Sequence, residues 1–174
     1  MKITAIALAT ALLLFTGTAH AGVRQFQDGF EGSPATKWRA INHAGFDINL
    51  GNARTGQNNA WLHTDRALGN PAVDIEVATG TNGPSTCTAR VYANALNNRS
   101  TEIDRVVVSD SEGHLYTTMH AWLTYGSGYE PITVNNINIQ GYKTLRVRYE
   151  LQDNNRGFDG EWVRLDDFTL QCAY

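Results

Sequence analysis

Apolar and polar residues alternate along most of this chain with a period of two. In "KTLRVRYEL", Leu145, Val147, Tyr149 and Leu151 fall on one side, and Arg146, Arg148 and Glu150 on the other. A strand sends successive side chains to opposite faces, so this pattern predicts strands with one dry and one wet face. "VDIEV" sets Val73, Ile75 and Val77 against Asp74 and Glu76, and "FDINL" sets Phe46, Ile48 and Leu50 against Asp47 and Asn49. "CTARVYA" puts Cys87, Ala89, Val91 and Ala93 together, while "IDRVVVS" and "ITVNNINI" add β-branched runs suited to strands. Between the runs lie turn clusters such as "GSPAT", "GTNGPS", "SDSEGH" and "DNNRGFDG". No segment keeps a helical period beyond about two turns. Short strands at intervals of about 8–12 residues predict an all-β, antiparallel two-sheet β-sandwich.

The ending "EWVRLDDFTLQC" breaks the alternation once. Val163 and Leu165 are apolar at odd positions, Phe168, Leu170 and Cys172 at even ones, and the phase changes at Asp166–Asp167. A β-bulge is the ordinary way for a strand to change phase, and it re-aims side chains. "TVNNINI" changes phase in the same way at Asn135–Asn136.

Composition narrows the setting. Lys2, the apolar run "ITAIALATALLLF" and the small residues of "AHA" predict a bacterial-type signal peptide over 1–21, so that 22–174 forms a single mature domain, secreted or periplasmic. A chain of that size buries roughly 70% of its unfolded surface, enough for one core. The net charge of −3 and the lack of a basic stripe argue against a nucleic-acid partner, and no second apolar stretch reaches membrane-spanning length. Export to an oxidising compartment predicts a disulfide between Cys87 and Cys172.

A carboxylate at the phase change needs a partner: an arginine, backbone amides or a metal. Calcium takes hard oxygen donors from irregular loops, and "QDGFEGS" with the 51–59 loop is rich in them, although no EF-hand spacing is present. The chain also resembles the jelly-roll modules of secreted proteins, namely calcium-containing carbohydrate-binding modules and the MAM domain. The resemblance rests on "DGFEG" at 28–32 followed by Trp38, on "RTGQNNAWL" at 54–62, and on "WVRLDDFTL" at 162–170 with a trailing cysteine. It implies a jelly-roll topology and a structural calcium on Glu31 and Asp166, with Asp28 and Asp167 as neighbours. It also places Cys87 and Cys172 at the positions that pair in MAM-like domains, although the earlier cysteine pair usual in MAM domains is missing.

Catalytic signatures are sparse. There is no G-x-S-x-G, and His43, His63, His114 and His120 show no metal-binding spacing. Glu76, Glu102, Asp104, Glu150, Asp159 and Glu161 are available for acid–base work, but the pattern selects no pair among them. Binding is better served. Sugars stack apolar faces on aromatic rings and place hydroxyls on planar polar groups. "WLTYGSGYE" offers Trp122, Tyr125 and Tyr129, and "DNNRGFDGEW" offers Asn154 and Arg156. Trp38, Trp61 and Trp162 are expected in the core or at the sandwich ends. The expectation is a non-catalytic module for a polysaccharide, a glycan or another extracellular polymer. The competing readings are a protein-binding, MAM-like domain and a small secreted hydrolase or lyase.

Overall fold

The structure is a computed structural model that describes residues 22–64, 68–96, 101–151 and 160–174, residues 101–104 by backbone only. The expected leader at 1–21 and the loop residues Asn154 and Arg156 lie outside the described residues.

The strands, in chain order, are β1 (Val23–Asp28), β2 (Trp38–Ile41), β3 (Ala44–Ile48), β4 (Asn58–His63), β5 (Ala72–Ala78), β6 (Ser85–Ala95), β7 (Thr101–Asp110), β8 (Leu115–Leu123), β9 (Glu130–Ile139), β10 (Thr144–Glu150) and β11 (Trp162–Ala173). One sheet runs β3-β4-β11-β6-β9, and β1 adds to the lower half of β11 on the side where β4 holds the upper half. The second runs β2-β5-β10-β7-β8, and every pairing is antiparallel. Successive strands mostly alternate between the sheets, which is the jelly-roll winding.

The predicted alternation sets the core. Leu145, Val147, Tyr149 and Leu151 are fully buried, as are Val73, Cys87, Ala89, Val91 and Ala93. Phe30, Trp38, Phe168 and Tyr149 form an aromatic centre, with Trp38 edge-on to Phe168 at 5.3 Å and close to Phe30 at 4.5 Å. Burial without a hydrogen-bond partner for its hydroxyl pushes the Tyr149 pKa up. One run departs from expectation. Ile48 and Leu50 are exposed rather than inward, because β3 is an edge strand that ends at Ile48 and the chain turns away at Asn49, whose φ is 56°.

Both phase changes are bulges. The β11–β6 register shifts between Asp166 and Thr169, and Asp167 takes the left-handed conformation at φ 50°. The β6–β9 register shifts between Cys87 and Ala89, opposite Asn136 at φ 58°. Below the first bulge Cys172 pairs directly with Cys87 in the neighbouring strand, and the two form a disulfide that closes 85 residues of chain. The bond lies within one sheet and faces the core, where Cys87 and Cys172 are both buried.

The registers fix which loops share an end. β2, β4, β6, β8 and β10 all run towards one end of the sandwich, and β3, β5, β7, β9 and β11 start from it. The connection 124–129, the end of β10 and the start of β11 therefore share that end.

Candidate functional site

Three groupings of polar and aromatic side chains stand out. The first is the corner where the chain's start meets its finish. The β3–β4 loop folds back across the outer side of β11. Asp166 Oδ2 accepts the backbone N–H groups of Arg54 (2.7 Å) and Thr55 (3.1 Å), and its Oδ1 accepts the N–H of Asp167 (2.8 Å). From the other side Glu31 Oε1 accepts the N–H groups of Gln57 (2.8 Å) and Asn58 (3.0 Å). Glu31 and Asp166 thus grip one loop. Asp166 is completely buried, and no cation pairs with it among the described residues. Burial pushes its pKa up to about 6, against the pull of the amides that hydrogen-bond it.

The other two acids point elsewhere. Asp28 caps its own turn through the Phe30 N–H (2.8 Å), receives the Trp38 indole N–H (3.3 Å) and pairs with Lys37 (2.6 Å). Asp167, swung out by the bulge, pairs with the Arg54 guanidinium and accepts the Thr55 hydroxyl. Glu31 and Asp166 supply hard carboxylate oxygens of the kind calcium takes, but the loop between them turns backbone N–H groups towards both. Among the described residues no group of three or more His, Cys, Asp or Glu side chains is gathered for a metal, so backbone carbonyls would have to complete such a site.

The second grouping is the end where the 124–129 connection lies. Trp122, on β8 and opposite Glu102 of β7, has 62% of its surface exposed, and Tyr125 beyond it has 48%. Tyr142 and Tyr174 are open to a similar degree, and Trp122 is the most exposed of these rings among the described residues. Tyr129 is not with them. Its hydroxyl donates to the carbonyl of Asn52 (2.8 Å), so it tethers the β3–β4 loop, and burial raises its pKa. Gly126 and Gly128 both have positive φ, which the tight turn between Trp122 and Tyr129 requires.

The third grouping was not foreseen. Of the three tryptophans expected in the core or at the sandwich ends, Trp38 is in the core. Trp61 and Trp162 lie on the outer side of the first sheet with rings 5.3 Å apart, His63 stacks on Trp162 at 4.2 Å, and His43 Nδ1 meets His63 Nδ1 at 2.8 Å. Trp61 lies flat across β3 because residue 45 is glycine, where an added Cβ would come within 2.8 Å of the indole. The signal was in the parity: Trp61 alternates with buried Ala60 and Leu62, and Trp162 precedes buried Val163.

The outer face of the second sheet is a lattice of ion pairs. Arg39 pairs with Asp74 (2.6 Å), Arg146 with Glu76, Arg148 with Glu150 (2.7 Å), and Arg105 approaches Glu150 at 4.0 Å. Glu76 and Glu150 are thus bound to arginines, and Asp74 and Glu150 are nearly covered. No helix among the described residues is long and apolar enough to cross a membrane.

Solved structures that share this fold include carbohydrate-binding modules. The TmCBM61 module in complex with β-1,4-galactotriose aligns with a TM-score of 0.56 and 17% identity, over 82% of this chain and 92% of that one. The CBM22-1 xylan-binding domain of Paenibacillus barcinonensis Xyn10C aligns with a TM-score of 0.58 and 12% identity, over 84% and 92%. The CBM22-1–GH10 modules of Clostridium thermocellum endo-1,4-β-D-xylanase 10B, solved with xylohexaose, give 0.57 and 13% over 83% of this chain and 27% of that one. The likeness is one of fold. No family model and no curated protein matches the sequence.

Proposed function

We propose that this chain is an exported, non-catalytic carbohydrate-binding module whose polysaccharide contacts the end of the sandwich around Trp122 and Tyr125. The observation that carries the reading is the open Trp122 ring, at 62% exposure, on a jelly roll of the same fold as sugar-binding modules. A ring of this kind covers the apolar face of a pyranose, and Asn154 and Arg156, which lie outside the described residues, are the planar polar partners that the sequence offers. Export through the 1–21 leader belongs to this reading, as does a structural calcium on Glu31 and Asp166. The ion would place positive charge beside the buried Asp166 carboxylate.

The test is affinity electrophoresis and calorimetry against a panel of galactans, xylans, glucans and mannans. Retention on at least one polymer is expected, with Trp122→Ala weakening it about tenfold or more, or about 1.4 kcal/mol. No retention on any polymer, or a Trp122→Ala protein that binds like the parent, overturns the reading.

A further inference from the structure

The bulge in β11 opens a cavity of about 490 Å3 on the outer side of the first sheet, away from Trp122. Its walls are the end of β1, the Arg54–Thr55 turn, and Arg90 with Tyr92 on β6. The volume falls within the roughly 300–1,000 Å3 of small-ligand sites.

The formal charges lining it sum to zero, Arg54 and Arg90 against Asp28 and Asp167, but the way they pair leaves one cation over. Asp28 is paired with Lys37, which is not part of the lining. Asp167 is held by Arg54 and by the Thr55 hydroxyl, and the Arg54 guanidinium lies 3.7 Å from the Tyr92 ring centroid. Arg90 remains. It is exposed, it pairs with no carboxylate among the described residues, and its nearest aromatic contact is Tyr92 at 5.5 Å. The cavity therefore presents one guanidinium whose hydrogen-bond donors are uncommitted.

Its neighbours are set by register. Gln27 on β1, Thr169 on β11 and Arg90 on β6 stand in one row across the sheet, each about 5 Å from the next. An amide, a hydroxyl and a guanidinium in line suit a sugar ring bearing an acid. The guanidinium takes the two oxygens of a carboxylate in a fork, and the amide and hydroxyl meet ring hydroxyls. The row below, Gln25, Gln171 and Thr88, carries no charge, so nothing there repels an anion.

We propose that this cavity is a second glycan subsite, one that takes an anionic sugar through Arg90, Gln27 and Thr169. It rests on the module being a glycan binder only for the class of ligand, because the two sites share no residue. The probes are galacturonate oligosaccharides, the same oligosaccharides as methyl esters, and a sulfated galactan oligosaccharide, measured by calorimetry at low and high salt.

Expected is binding of a charged probe that weakens about tenfold in Arg90→Gln, is partly kept in Arg90→Lys, falls with salt, and is unchanged in Trp122→Ala. Preference for the galacturonate or for the sulfated probe identifies the acid, and either supports the site. Equal binding of acid and methyl ester, no binding of either charged probe, or an Arg90→Gln protein that binds like the parent overturns it. Retention of neutral polymers in any of those cases leaves the Trp122 reading standing. Since Arg90 is exposed, its variants report on binding and not on folding.

Discussion

The two outer faces of the sandwich solve the same problem in opposite ways. Across the second sheet, Arg39, Asp74, Arg148 and Glu150 join in ion pairs, with Arg146–Glu76 beside them, and Asp74 and Glu150 are nearly covered. Across the lower first sheet, Gln25, Gln171, Thr88, Thr86, Asn135 and Asn138 carry no charge, and the few side-chain bonds among them, such as Thr86 to Asn138, are exposed. The charged face consumes its own donors and acceptors. The uncharged face leaves them open, and beneath it the strands β6 and β11 are joined covalently by Cys87–Cys172. A face locked from below is free to carry residues that do not hold each other. A face without such a lock is held together partly by its surface.

This comparison breaks first at the disulfide. Closing 85 residues is worth roughly 4–5 kcal/mol in the chain-entropy model, reduced by any strain. The Cys87→Ala, Cys172→Ala double variant, or the parent melted in reductant, should therefore show the largest loss of thermal stability of any change considered. A loss below about 1 kcal/mol would mean that the uncharged face does not depend on the lock. Next comes Glu150→Ala, which leaves Arg148 beside a covered site and should cost about 1–3 kcal/mol by denaturant titration, with the cost shrinking at high salt. Gln171→Ala on the other face should change stability by no more than about 0.5 kcal/mol.

Much of this architecture can be read from parity. The inward residues of β5, β6 and β10 follow alternation, because each of these strands has neighbours on both edges and one face against the core. Both bulges are legible as phase changes, at Asp166–Asp167 and Asn135–Asn136. The cysteine pairing follows from there being two of them in a chain whose leader predicts export. The β3–β4 loop is different. Its path over β11 depends on Arg54 and Thr55 amides reaching a carboxylate 112 and 111 residues away, and no local pattern encodes that meeting. The same loop draws Tyr129 from the ring cluster of its own segment, and it builds one wall of the cavity beside Arg90. The Trp61–Trp162 cluster was legible in principle, since both residues sit out of phase with their buried neighbours. Large aromatic size alone points only to the core or the sandwich ends and does not say which face carries the rings.

The covered carboxylate on the first sheet gives a subtler effect, and the proposed calcium would reverse its sign. Without metal the folded-state pKa of Asp166, about 6, is above its unfolded value of 3.8, so the native state binds the proton more tightly. Stability should then rise as pH falls through about 6 and level off below the unfolded value, and Asp166→Asn should abolish that rise. With calcium bound, protons compete with the ion, so the same acidification should lower stability. Melting curves from neutrality to pH about 4, with chelator and with calcium, separate the two regimes. Identical curves in both would remove calcium from the account, and a fall in stability with acid in chelator would contradict the assignment of Asp166 as a buried, cation-free carboxylate.

The smallest expected change in stability is the one that decides what the open rings are for. Trp122 is largely solvent-exposed, and no ring contact ties it to Tyr125 or Tyr129 among the described residues. Truncating it removes little buried surface, so Trp122→Ala should melt within about 0.5 kcal/mol of the parent. If the ring exists to hold the 124–129 turn, the variant should instead lose 1–2 kcal/mol, on the order of a partly buried aromatic, and polymer binding should follow the fraction folded. Measured together, a stable variant with weakened polymer binding assigns Trp122 to the ligand, whereas a destabilised variant with unchanged affinity assigns it to the fold. Tyr129→Phe supplies the opposite pattern on the same segment. It gives up the hydrogen bond to Asn52 and should loosen the β3–β4 loop without touching a ligand at Trp122.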